Sequence, residues 1–118
     1  MNIKDFYETV GGDYADAISR FQNDALIKRF LKMIESDDSF AKLTEAVVDG
    51  NVHDAFFAAH TLKGFSLNLS LTDFAVACSE MSDCLRGKTV MPQDSATHFE
   101  RVRCEYERLV KALRLLDD

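Results

Sequence analysis

The sequence predicts an all-α protein, an antiparallel four-helix bundle with short additional N-terminal helices. Three observations carry that prediction. Apolar residues recur at three- and four-residue spacing through most of the chain, and capping residues separate the repeats. No window alternates apolar and polar residues between hairpin turns. The 118 residues are read as one domain, 1–118, without repeat, linker or low-complexity segment. A chain of this length buries about two-thirds of the surface it exposes when unfolded.

The elements follow in order. Ile3, Phe6, Tyr7 and Val10 repeat at helical spacing, and Gly11-Gly12 ends that first segment. Asp13 can cap a second short helix carrying Tyr14, Ala17, Ile18 and Phe21. Asn23 caps the next, with Leu26, Ile27, Phe30, Leu31 and Ile34 in a strong repeat. Ser36-Asp37-Asp38-Ser39 breaks that pattern, after which Phe40, Leu43 and Val47 continue to Gly50, a C-terminal stop. Asn51 caps a longer helix, and Asp54 suits the positive end of its dipole. Thr72 starts another, with Phe74, Ala77, Cys78, Met81 and Leu85 inward and Gly87 at its end. Pro92, the only proline, suits the first turn of the last helix, which carries Phe99, Val102, Tyr106, Leu109, Val110, Leu113 and Leu116.

One stretch does not read as ordinary fold-building. On a helix, Val52, Ala55, Ala58, Ala59, Leu62, Phe65, Ser66 and Leu69 share one small or apolar face. His60 projects from the opposite face, beside His53, Phe56, Phe57, Lys63, Gly64 and Leu67. Gly64 costs about 1 kcal/mol relative to alanine in a helix interior. No turn residue follows it to end the helix, so the missing side chain clears space beside the imidazole, or else serves a close helix crossing. Large apolar residues on a wet face mark docking sites. Phe57 and Leu67 fit that role, and Phe56, at the border of the face, fits either docking or core.

Ala59-His60-Thr61-Leu62-Lys63-Gly64, followed by Ser66 and Leu69, closely resembles the signature of histidine-containing phosphotransfer (HPt) domains. The resemblance extends over most of the chain, including the acidic-apolar segment from Asp13 to Phe30. It departs at Ser70, ten residues after the histidine, where the family usually has a second glycine.

The chemistry fits the residues. Neutral imidazole is a good nucleophile near neutral pH, and its phosphorylated form is labile, which suits a carrier. Phosphoryl transfer needs in-line access and charge stabilisation more than covalent machinery. Lys63 places a cation one turn from His60, worth about 1 kcal/mol at an exposed site, and Gly64 gives steric access. The sequence offers no nucleotide loop, metal-carboxylate cluster or general base beside the histidine. No cofactor is therefore expected on this chain. The resemblance implies that the partners are response-regulator receiver domains and a hybrid sensor histidine kinase. The receiver's phospho-aspartate and bound Mg²⁺ supply the catalysis, and Nε2 of His60 carries the phosphate. It also implies a polar orienting residue on the facing helix, a place that falls at Ser82. The expected protein is a phosphoryl carrier rather than an enzyme, taking phosphate from one receiver aspartate and passing it to another.

Two other classes compete. One is a phosphorylation-independent helical adaptor that binds receivers through the Phe57/Leu67 patch. The other is a metal-assisted hydrolase using His53, His60 and acidic side chains. His53 lies roughly 10 Å along the helix from His60, too far for both to hold one ion. His98 has no ligand-spaced neighbour in this reading and is structural or exposed.

Composition excludes further classes. Hydrophobic residues make up 47% and charged residues 29%, an ordinary globular balance. The net charge of -6 argues against nucleic acid. No apolar run approaches the ~20 residues that span a bilayer. Met1 to Asp5 lacks a signal-peptide pattern, so a cytoplasmic protein is expected. Cys78, Cys84 and Cys104 are odd in number and lack CxxC spacing, which points to reduced, structural thiols. A monomer is the default, and Met1 with the full set of helices points to a standalone protein.

Overall fold

Asn2 accepts a hydrogen bond from the backbone N–H of Asp5 and so opens the first helix of the computed structural model, which describes residues 1–117. That helix, α1, spans Ile3–Val10 and ends at Gly11 with φ 69°. Asp13 then caps α2 (Tyr14–Phe21), accepting from the N–H of Asp16, and Asn23 caps α3 (Asp24–Lys32), accepting from that of Leu26. The apolar repeat of α3 predicts Ile34 within the same helix. Instead the chain tightens after Lys32 into a 3₁₀ turn, Met33–Ser36, which still buries Ile34. The serine–aspartate cluster next to it does stop the pattern, with Asp37 accepting from the N–H of Ser39.

Four longer helices follow. They are α4 (Ser39–Asp49), α5 (Val52–Asn68), α6 (Thr72–Leu85) and α7 (Ser95–Arg114). Asn51 caps α5 as predicted, and its side-chain amide also donates to the Asp54 carboxylate. Pro92 departs from the prediction. It lies before α7 rather than in its first turn, and its carbonyl accepts from both the N–H and the hydroxyl of Ser95. Lacking an N–H, proline costs nothing in such a turn.

The bundle is built outward from α5, which packs between α4 and α6, while α6 packs on α7. Phe40 of α4 stacks on Tyr106 of α7, ring centroids 4.1 Å apart, and closes the fourth side. Leu43, Ala59, Leu62, Cys78, Met81, Val102 and Leu109 fill the interior. Burial pushes the Cys78 thiol up to about 12, so it is a packing group rather than a nucleophile. The short helix α1 lies along α7, and the Met1 ammonium donates to the carbonyl of Leu115 and pairs with Asp117. No helix among the described residues is long and apolar enough to cross a membrane.

The α5–α6 turn carries the departure noted at Ser70. Its φ is 56°, so serine here occupies the left-handed region that favours glycine. The backbone keeps that conformation because the turn is tied from several sides. The Ser70 hydroxyl donates to Asp16, and Arg20 pairs with Asp16 while donating to the carbonyls of Leu67 and Asn68 at the end of α5. The Tyr7 hydroxyl, buried, donates to the carbonyl of Leu69. The N–H of Asp13 donates to Ser70, and that of Asp73 to Gly11.

Gly11 is the tightest point of this junction. A Cβ there would fall 1.9 Å from the Asp73 carboxylate, whereas at Gly50, also left-handed with φ 70°, it would meet nothing within 4 Å. Gly50→Ala should therefore cost only the backbone penalty, about 1 kcal/mol. Gly11→Ala should cost at least about 1 kcal/mol more, because Asp73 must also move. Urea unfolding of the two variants measures the difference.

Candidate functional site

His60 stands at the middle of the 17-residue helix α5, fully on the solvent side. The Ala-rich face predicted to be inward is inward, with Val52, Ala55, Ala58, Ala59, Leu62 and Ser66 all buried. Because small side chains fill that face, α5 can sit deep in the bundle and still leave the opposite strip bare. No hydrogen bond or ion pair holds either imidazole nitrogen among the described residues. Both nitrogens are thus free for chemistry or for a partner.

The ring is instead positioned by packing. Phe56, one turn earlier, lies nearly parallel to the imidazole, with an interplanar angle of 23° and centroids 5.8 Å apart. Phe56 is half-buried and its other contacts reach the core, so it acts as a support between core and histidine. The Arg86 guanidinium lies over the same ring, 5.2 Å from the centroid. Arg86 caps the end of α6 and also reaches Asp83. Sequence reading missed it, although it lies one turn beyond Ser82 on the helix facing α5.

Lys63 and Gly64 lie on the same strip as His60. Lys63 is half-buried and its ammonium makes no ion pair or hydrogen bond among the described residues, so it remains available to an incoming anion. It lines a groove between α5 and α6 together with Arg20, Leu67 and Val76. Gly64 is exposed, and a Cβ built on it would meet nothing within 4 Å. A packing role at a helix crossing is thereby removed, since no neighbouring helix approaches. Phe57 and Leu67, 69% and 54% exposed, flank the strip as large apolar groups in water.

Ser82 is a correction. Spacing places there a polar group that reaches the imidazole and a partner, yet Ser82 is fully buried. Its hydroxyl finds no hydrogen-bond partner among the described residues. The inward face of α6 takes in Ala75 and Ser82 besides the residues of the predicted repeat, so it is wider than that repeat suggests. His53 is exposed and contacts only Asp54, and the described residues assemble no group of three or more His, Cys, Asp or Glu around His60.

The family model of the Hpt domain matches residues 26–115, from α3 to the end of α7. The chain belongs to the HPt family. Comparison with curated proteins and with solved structures found no match. HPt domains serve histidine phosphotransfer in phosphorelay signalling, as phosphocarrier modules rather than classical enzymes. They interact there with receiver domains and kinases. The matched segment contains the whole four-helix bundle, while α1 and α2 lie before it.

Two outcomes separate site from scaffold. Ser82→Ala removes an unsatisfied buried hydroxyl and should stabilise the fold by about 1 kcal/mol in urea unfolding. Gly64→Ala should also stabilise it by up to about 1 kcal/mol, since the added methyl meets nothing and gains helix propensity. A loss of stability in Gly64→Ala would mean that the glycine serves the fold.

Proposed function

We propose that His60 accepts a phosphoryl group from the phospho-aspartate of one receiver domain and passes it to the aspartate of another. The observation that carries this reading is the bare ground around the ring. An unpartnered, exposed imidazole lies beside a glycine whose missing side chain serves nothing within the chain.

In the step, neutral His60 keeps its proton on Nδ1 and attacks phosphorus with the Nε2 lone pair. The new N–P bond forms as the bond from phosphorus to the donor's carboxylate oxygen breaks, and that carboxylate leaves with the electron pair. Transfer onward runs the same exchange with a second aspartate as nucleophile. Little covalent work falls to the protein, so in-line access and charge neutralisation govern the rate. Gly64 leaves room for the receiver's active-site loop, and the Lys63 ammonium faces the phosphoryl oxygens. Mg²⁺ on the receiver supplies the larger charge. Phe57 and Leu67 give the receiver apolar contact area around the reacting atoms.

The Phe56 ring, held between core, imidazole and Arg86, limits the number of orientations His60 samples. A preset ring reduces the entropy lost on reaching the in-line geometry.

Transfer of radiolabelled phosphate from a phosphorylated receiver domain tests the reading. Wild type should acquire an acid-labile, alkali-stable label, and His60→Gln should acquire none. Lys63→Ala should slow transfer by about fivefold, the equivalent of about 1 kcal/mol. Gly64→Ala should slow it by at least tenfold while the protein stays folded. Receiver binding that persists without any labelling of wild type would transfer the assignment to a phosphorylation-independent adaptor.

A further inference from the structure

Away from the histidine strip, three side chains with metal-binding chemistry converge where α6 ends and α7 begins. They are Cys84, in the last turn of α6, Asp94, at the N-cap of α7, and His98, one turn into α7. One ligand atom from each lies within 4.8 Å of the others. The Cys84 sulfur is 3.4 Å from Oδ1 of Asp94, and Nε2 of His98 is 3.6 Å from Oδ2. Metal–ligand bonds of about 2.0–2.3 Å in a tetrahedron place ligand atoms about 3.3–3.8 Å apart. Each of these two separations has the length of such an edge, one to either oxygen of Asp94, and one ligand atom from each residue lies within 4.8 Å of the others. His98 therefore does have a ligand-spaced neighbour, four residues earlier on its own helix.

A second observation concerns Asp94 itself. Aspartate at a helix N-cap ordinarily accepts a hydrogen bond from a backbone N–H of the first turn. Asp94 makes no such bond. Its carboxylate instead places one oxygen against the thiol and the other against the imidazole. The cap function is given up in favour of joining the other two groups.

We propose that Cys84, Asp94 and His98 form a binding site for a single borderline-soft divalent metal ion, with Zn²⁺ the best match. The donor set selects the ion. Sulfur and imidazole nitrogen disfavour Mg²⁺ and Ca²⁺, which take oxygen ligands. Thiolate and carboxylate together bring two negative charges, enough to outweigh the nearby Lys88 ammonium, which faces the same thiol. Binding displaces the thiol proton to solvent, and water completes the fourth position. Cys84 and His98 are half-buried and Asp94 is exposed, so an ion can enter from solvent. Once bound, it ties the end of α6 to the start of α7 across the connection Arg86–Asp94. The site is independent of the phosphotransfer reading, since none of its residues belongs to the His60 strip.

Co²⁺ and Zn²⁺ titration of the full chain, kept reduced with a non-thiol reductant, tests the site. Wild type should bind one Co²⁺ per chain with a thiolate-to-cobalt charge-transfer band, and Zn²⁺ should displace it and raise Tm. Cys84→Ser should lose the band, and His98→Gln should bind at least about tenfold more weakly. Cys104→Ser should behave as wild type, because that thiol lies with Glu100 and Arg103 instead. No charge-transfer band in wild type, or a band that persists in Cys84→Ser, overturns the proposal. Undiminished affinity in a folded His98→Gln does so as well.

Discussion

The structure depends on how α5 is buried. It is gripped on both flanks, by α4 and by α6, and it meets them with a face rich in alanine. Small side chains let neighbouring helices approach closely, because helix separation is set by the side chains at the contact. The rest of the bundle follows from that grip. The opposite face stays exposed, and neither imidazole nitrogen of His60 has a hydrogen-bond or ion-pair partner among the described residues. His60 is thus held on a rigid element, by backbone rather than by side-chain hydrogen bonds.

The two ends of α5 are secured by different means, and both matter to the site. At the start, Asn51 and Asp54 cap the helix by local hydrogen bonds. At the end, Arg20 crosses from α2 to cover two terminal carbonyls, and Ser70 takes a left-handed turn held by Asp16. The family's usual glycine would adopt that turn without steric cost. Here a hydrogen-bonded network from outside the bundle stabilises serine in the same conformation. This gives the short N-terminal helices a purpose, since α1 and α2 supply Tyr7, Asp16 and Arg20 to the α5–α6 turn.

Charge and apolar surface divide the work around His60. Phe56 packs against both the imidazole and the Arg86 guanidinium, so a cation sits near the histidine without pairing to it. Lys63 provides a second cation, which pairs with no carboxylate among the described residues. Phe57 and Leu67 are the large apolar groups flanking this strip, and desolvating them is favourable for any partner that covers the strip.

Much of this was legible in the chain itself, because the relevant interactions are local. Caps at Asp13, Asn23 and Asn51, the stop at Gly50 and the faces of α5 all depend on residues within about one turn of each other. The same holds for His60, Lys63 and Gly64, whose grouping needs only the helical period. Tertiary packing decided the rest. Ser82 went inward because α6 is covered by two neighbouring helices, which no period within α6 reveals. Arg86 reached Phe56, and Cys84 met Asp94 and His98, only because antiparallel helices bring distant turns side by side. Ser70 kept a strained conformation through residues more than fifty positions away. Sequence determines which faces a helix has; the fold decides what each face meets, because that depends on how separate helices align.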